Sequence, residues 1–191
     1  MSGGNAPFVV FVALLLATAL MRLGEVAVSV RRIRRRPGAL VAEPWLFPAM
    51  ATLHTLLVAL PLVEVVALGR VFTPWLAGVA GLVLAAATAL RVWTLRTIGR
   101  SWNVRVVVPE ADGVVSSGPY RYIRHPNYLV VCLEIAALPL VHGAWASALA
   151  LTIFNAVVLQ HRIRTEERSL ATLPAWRAAF EGKARLIPGV F

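Results

Sequence analysis

The chain has 191 residues, room for one domain, and 59% of them are apolar, with a mean hydropathy of +0.73 that exceeds what an ordinary soluble fold carries. Charged residues make up only 15%, yet the net charge is +10. The bases fall in clusters between apolar stretches of roughly 20 residues, the length that crosses a bilayer, so they read as membrane orientation and exclude a nucleic-acid partner. The lone Cys132 excludes an internal disulfide and a zinc cluster of cysteines, and no metal is expected.

Taken in chain order, the pattern predicts an all-α integral membrane protein with about five transmembrane helices. The first runs from about Pro7 to Val30, where Pro7 suits a first-turn position. It lacks a basic leader and runs into Arg31, Arg32, Arg34, Arg35 and Arg36, so a cleavable signal peptide is not expected. That Arg run reads as a topology and anionic-lipid signal, which makes membrane lipids a partner. The second helix spans about Pro44 to Leu68 and the third Pro74 to about Ile98, with Gly69 suited to a helix end. A loop from about Gly99 to Pro126 follows, long enough to be functional, with a possible extended piece at Val104 to Val108. The fourth helix, about Asn127 to Val141, covers only ~22 Å and turns through Gly143 into the fifth, about Ala144 to Arg164. Pro61 and Pro139 are candidate kinks. From Glu166 to about Glu181, Leu170, Leu173, Trp176, Ala179 and Phe180 recur at helical spacing, which predicts a helix lying along the interface. The C-terminus, Ile187 to Phe191, carries no prenylation box.

Basic residues crowd the first loop, the third loop and the tail, while the N-terminus and the fourth loop have none. This alternation places the N-terminus outside, the C-terminus in the cytoplasm, and the protein in the cell membrane as a multi-pass chain. Given that orientation, Arg22, Glu25, His54, Arg91 and Glu134 all fall near the inner end of their helices. Intramembrane charges face the protein interior and mark a path or cavity. The level therefore predicts a polar-floored pocket open to the cytoplasm, with Arg22, Glu25, His54 and Arg91 facing a substrate. The alternative is that Arg22, Glu25, Arg91 and Glu134 only neutralise one another as helix glue, that His54 is a helix contact, and that Asn155 is interhelical glue. Glu64 sits in the outer half and fits neither account.

One stretch carries more chemistry than the rest: Gly118-Pro119-Tyr120, then Arg124-His125-Pro126-Asn127-Tyr128 at the mouth of the fourth helix. Pro126 fixes a first turn, so His125 sits at or near an N-cap, where an anion is stabilised by free N–H groups and the helix dipole. A purely structural cap is the competing reading. At the end of the fifth helix Arg162 and Glu166 share a face, with Glu167 beside them; ordinary interface charge is again the alternative.

These motifs, with Phe180 and Arg185-Leu186-Ile187-Pro188-Gly189 in the tail, resemble the isoprenylcysteine carboxyl methyltransferase family over about Arg96 to Phe191. The resemblance implies a single membrane methyltransferase domain over 1–191. Residues 1–98 would hold the first three spans, and 99–191 a cytoplasmic cofactor-binding loop, the helical hairpin and the tail. It implies S-adenosyl-L-methionine as cofactor, held by Arg105, Asp112, Gly113, Val114, Val115, Tyr120, His125, Pro126, Asn127, Tyr128, Glu166 and Glu167. Arg162 would orient the substrate, and Arg162 and Glu166 are the candidate catalytic residues. Val130 stands where the family often has glycine. The first half, with Arg22, Glu25 and the Arg run, looks more like a bacterial subgroup that methylates polyketide lipids such as alkylpyrones. The expected reaction is O-methylation of a lipophilic or lipidated acceptor, at a carboxylate or an enolic or phenolic hydroxyl. Three other readings stand beside it: phospholipid N-methylation, an NADPH-dependent reductase of the sterol-reductase type, and a non-enzymatic bundle. Sterol-reductase-like proteins follow the Arg-His-Pro-Asn-Tyr segment with glycine and an acid, where this chain has Leu129-Val130-Val131. The acceptor, its chain length and the oligomeric state are not legible.

Overall fold

A computed structural model describes residues 5–35, 45–106 and 114–187. Its helices are α1 (Ala6–Arg34), α2 (Leu46–Leu68), α3 (Pro74–Ile98), α4 (Pro126–Leu140), α5 (Trp145–Leu170) and α6 (Pro174–Phe180). Short 3₁₀ turns occur at Gly99–Ser101 and Gly118–Arg121. α1, α2, α3 and α5 are long and apolar enough to cross a membrane, and α4 is a shorter apolar helix. The protein is an all-α, multi-pass integral membrane protein.

Several helix ends differ from the sequence reading. α1 continues past Val30 into the Arg run, where Arg31, Arg32 and Arg34 occupy the last turn and complement its carbonyl-rich end. α2 starts at Leu46, and Pro44 lies outside the described residues, as do Arg36, Val107, Val108, Pro188 and Gly189. Val104 to Val106 form no strand. α5 runs on from Arg164 to Leu170, so Glu166 and Glu167 are helical residues. The amphipathic helix expected from Glu166 to Glu181 is instead broken at Ala171 to Leu173. Pro174 is the cause: its ring pushes Leu173 to extended geometry (φ −91°, ψ 117°) and then opens the seven-residue α6.

The short α4 makes sense from its position. It packs between α3 and α5, with α2 also against it. Tyr128, Val130, Val131, Glu134, Ile135, Ala137 and Leu138 are all buried. A helix enclosed by longer neighbours has no need to match the hydrocarbon thickness. Phe11 and Leu15 of α1, Leu53 and Leu57 of α2, Ile135 and Leu138 of α4, and Leu151 and Val158 of α5 build the core. Outward faces carry Leu16, Leu20, Val66, Leu82, Leu149 and Ile153, all exposed. Only 11% of the most apolar window of α1 is buried by protein. An apolar belt of this extent is unstable in water, and lipid is its natural cover.

Glu64, without an account in the sequence, has a plain structural role. Its buried carboxylate accepts from the Ser147 amide at 2.6 Å, the Ser147 hydroxyl at 2.5 Å and the Ala146 amide at 3.2 Å, and from Arg70 Nε at 2.8 Å. It therefore caps the orphan N–H groups of α5 from a neighbouring helix. His142 lies at this same end, its ring 5.8 Å from Phe8 and 5.4 Å from Phe11.

Candidate functional site

At the opposite end, one terminus of each of α1 to α5 lies near the loop after α3. Arg32 of α1 donates to the carbonyls of Gly99 (3.2 Å) and Trp102 (2.5 Å), and Ser29 Oγ accepts from the Val104 amide at 3.1 Å. The Arg run thus fastens the loop as well as marking a membrane face. On the far side of the loop, Gly118 adopts φ +57° against α3; a Cβ there would sit 2.4 Å from Thr97 Oγ1. Only glycine fits both demands, so the turn delivers Pro119 and Tyr120 to the interior.

The tail closes the site. The amides of Arg124 and His125 donate to the carbonyls of Ala184 (2.9 Å) and Arg185 (3.0 Å). Lys183 Nζ donates to the Tyr120 carbonyl at 3.0 Å, and Arg124 Nε to the Lys183 carbonyl at 2.7 Å. Glu167 then gathers Arg124 Nη1 at 3.2 Å, His125 Nε2 at 3.2 Å and Arg185 Nη2 at 2.9 Å. This bonding holds the Arg185 guanidinium above its ordinary pKa. His125 is the N-cap residue of α4, but its side chain makes no capping bond. Its ring stacks on Tyr128, with centroids 5.2 Å apart.

Between loop, tail and helix ends lies a cavity of about 130 Å³. Of the residues the resemblance implies, Arg105, Val114, Val115, Tyr120, His125, Asn127, Tyr128, Arg162 and Glu166 line it. Pro126 is buried at the start of α4, and Glu167 stands behind the wall as the clamp just described. Asp112 and Gly113 lie outside the described residues. Arg162, Tyr128 and Glu166 form a relay: Arg162 Nε donates to the Tyr128 hydroxyl at 2.7 Å, and that hydroxyl donates to Glu166. Arg162 also donates to the Val104 carbonyl. Tyr120 is buried, and burial followed by the charge of Glu166 pushes its hydroxyl above the ordinary range, so it stays protonated at neutral pH. Trp102, Asn103, Trp176 and Phe180 also line the cavity and were not anticipated. Trp176 and Phe180 are spaced as one face of a helix, the signal read as membrane-facing; the break at Pro174 turns that face onto the cavity. Trp102 and Asn103 carry no pattern of their own.

A second cavity, about 90 Å³, adjoins the first and shares Trp102, Asn103, Asn127, Tyr128 and Arg162 with it. Its other walls come from α1 (Arg22, Glu25, Val26), α2 (Phe47, Met50, Ala51, His54) and Val131 of α4. Beneath it the intramembrane charges close into a ring. Arg22 pairs with Glu25 at 2.7 Å and Arg91 with Glu134 at 2.6 Å, and the cross pairs Arg22–Glu134 and Arg91–Glu25 complete it. Both expectations meet here. The four charges neutralise one another across α1, α3 and α4, and Arg22 and Glu25 still face the cavity. Arg91 lies behind them, buried. Asn155 reaches Cys132 Sγ at 3.5 Å, away from both cavities.

The model of the isoprenylcysteine carboxyl methyltransferase (ICMT) family matches residues 79–172, from within α3 through the loop and α4 to the end of α5. Over 153 residues the chain is 33% identical to the uncharacterized protein YpbQ of Bacillus subtilis (strain 168), covering 79% of this chain and 90% of that protein. Over 80 residues it is 34% identical to the cobalt-zinc-cadmium resistance protein CzcN of Cupriavidus metallidurans, 41% of this chain and 37% of that protein. The matched stretch contains both the His125 motif and the Arg162–Glu167 end of α5, and one relative aligns over nearly its whole length: the chain belongs to the isoprenylcysteine carboxyl methyltransferase family and is a membrane methyltransferase.

Proposed function

We propose that the protein uses S-adenosyl-L-methionine to O-methylate a lipophilic acceptor, of the prenyl or polyketide-lipid type, with alkylpyrones as a candidate class. The observation that carries this is the pair of adjoining cavities with a common wall of Asn127, Tyr128 and Arg162. The first is bounded by loop and tail and lined by charged, polar and aromatic groups, which suits a water-soluble zwitterion. The second is walled by α1, α2, α4 and α5 with the loop after α3, largely with apolar surface, which suits a lipid head drawn from the bilayer.

The donor set of the first cavity fits the proposed cofactor. Arg105 would pair with its carboxylate and Glu166 with its ammonium, while Tyr120, Trp176 and Phe180 offer faces for an aromatic base. Trp102 Nε1, Asn103 Oδ1 and Asn127 Oδ1 are buried there without partners among the described residues, which leaves polar valences for a ligand. The bound cofactor would supply an electrophilic sulfonium methyl group. The protein's part is to align acceptor oxygen and methyl carbon and to keep water out. Such positioning supplies up to ~7–11 kcal/mol in favourable cases. Arg162, on the shared wall, would orient the acceptor oxygen, and its bond to Tyr128 couples it to Glu166. Loop, hairpin and tail (99–191) would serve as the donor half of a single domain, and the three N-terminal spans (1–98) as the acceptor half.

Calorimetric titration of the purified protein with S-adenosylhomocysteine, and separately with NADPH, tests the reading. Saturable binding of S-adenosylhomocysteine alone is the expected result. Binding of NADPH alone would replace the transferase reading with a reductase, and binding of neither would end both.

A further inference from the structure

We propose that His54 is the proton acceptor for the group that is methylated, and hence that the acceptor is an acidic hydroxyl, an enol or a phenol, on an apolar tail. This rests on the methyl-transfer reading and narrows it to one class of acceptor. His54 Nδ1 lies 2.7 Å from the Met50 carbonyl oxygen one turn earlier in α2. A carbonyl only accepts, so Nδ1 carries the hydrogen and Nε2 the lone pair. Nε2 is buried and has no partner among the described residues. The ring lines the second cavity, so a ligand filling that cavity is the group able to meet it.

The neighbours narrow the choice of base. Glu25 is engaged by Arg22 and Arg91, and the Tyr128 hydroxyl donates to Glu166. His54 is thus the basic group of this cavity whose lone-pair atom, Nε2, has no partner among the described residues. A carboxylate acceptor has no proton to offer and would set its own lone pairs against Nε2. A hydroxyl offers the missing donor. Arg22 and Arg162 line the same cavity and would stabilise an oxyanion as it forms there. A base so placed removes a proton only from an already acidic hydroxyl, not from an alcohol. In the step, the hydroxyl proton passes to Nε2 and the oxygen pair forms the new bond to the methyl carbon. The pair of the broken carbon–sulfur bond stays on sulfur, and the imidazolium returns its proton to water after product leaves.

The test uses purified full-length protein in dodecylmaltoside with 4-dodecyl-2-nitrophenol, its methyl ether and 4-dodecylbenzoate, with no methyl donor present. The nitrophenolate absorption band reads proton transfer directly. The wild type should bind the phenol at least about tenfold more tightly than the ether, the loss expected when a polar partner goes unmet. It should also raise the nitrophenolate fraction above that in empty micelles at the same pH. In His54→Gln, which keeps an acceptor but not a base, that rise should vanish while S-adenosylhomocysteine still binds as in wild type. An undiminished nitrophenolate rise in His54→Gln overturns the proposal. Tighter binding of 4-dodecylbenzoate than of the phenol by wild type also overturns it, and that comparison needs no variant. If wild type binds no S-adenosylhomocysteine, the methyl-transfer reading falls and this one with it; if it binds and the phenol results fail, only this inference falls.

Discussion

Two side chains on one relay face different demands. Glu166 borders the first cavity alone, whereas Arg162 borders both. Removing a charged partner from a cofactor contact costs about 1.5–3 kcal/mol. Glu166→Gln should therefore weaken S-adenosylhomocysteine binding by about 10- to 100-fold. Arg162→Ala should leave that affinity within about tenfold and lower turnover of a lipid acceptor by at least about a hundredfold, because on the proposed reading Arg162 aligns the acceptor oxygen with the methyl carbon. Titration calorimetry and a methyl-transfer assay with radiolabelled cofactor separate the two effects. Equal losses of cofactor affinity in both variants would mean that the relay acts only as scaffolding. His125, Tyr128, Glu166 and Arg162 were legible because charged and aromatic groups stand out beside apolar helices. Glu167 was legible as a charge but not as a clamp, since its partners Arg124, His125 and Arg185 come from segments far apart in the chain. The partners of Glu64 were equally invisible, because they depend on which helix faces which.

Between elements, the buried charge ring ties α1 to α3 and α4, where apolar packing between helices is weak inside a bilayer. Its two Arg and two Glu residues cancel, so any single removal leaves a net buried charge. Breaking one side of such a pair costs about 3–5 kcal/mol, while replacing both sides by apolar groups is often close to neutral. Glu134→Leu should thus lower the thermal midpoint in detergent sharply, and the double variant Arg91→Met, Glu134→Leu should recover most of it. A double variant as unstable as the single one would show that the ring contributes net stability beyond charge balance. The helices themselves were legible from hydropathy and length, and Pro7, Pro74 and Pro126 do open their helices. Two features were not. α5 outran its expected end, because Arg and Glu lower hydropathy without disfavouring helix. The face of Trp176 and Phe180 was assigned to the membrane, because helical periodicity reveals a buried side without naming what buries it.

For the whole molecule the remaining question is which way it sits. Phe8, near the start of α1, lies against His142 in the α4–α5 turn, while Glu167 and the tail lie with the loop after α3 at the other end. The two ends of the described chain therefore fall on opposite ends of the bundle, as an odd number of crossings requires. Arg31, Arg32, Arg34, Arg35, Arg105, Arg121, Arg124, Arg164, Arg168 and Arg177 gather at the tail end, whereas among the described residues Arg70 is the one Arg or Lys at the other, where Glu64 pairs with it. Short basic loops resist export, so the tail end should face the cytoplasm. It is also the end where loop and tail bound the first cavity, and a water-soluble donor made inside the cell needs that side. A reporter fused after Phe191 should be active only in its cytoplasmic form, and a cysteine placed at Asn5 should be labelled by an impermeant maleimide in intact cells. The opposite pair of results would put the first cavity outside. S-adenosyl-L-methionine would then be the wrong donor even if every contact described here stood.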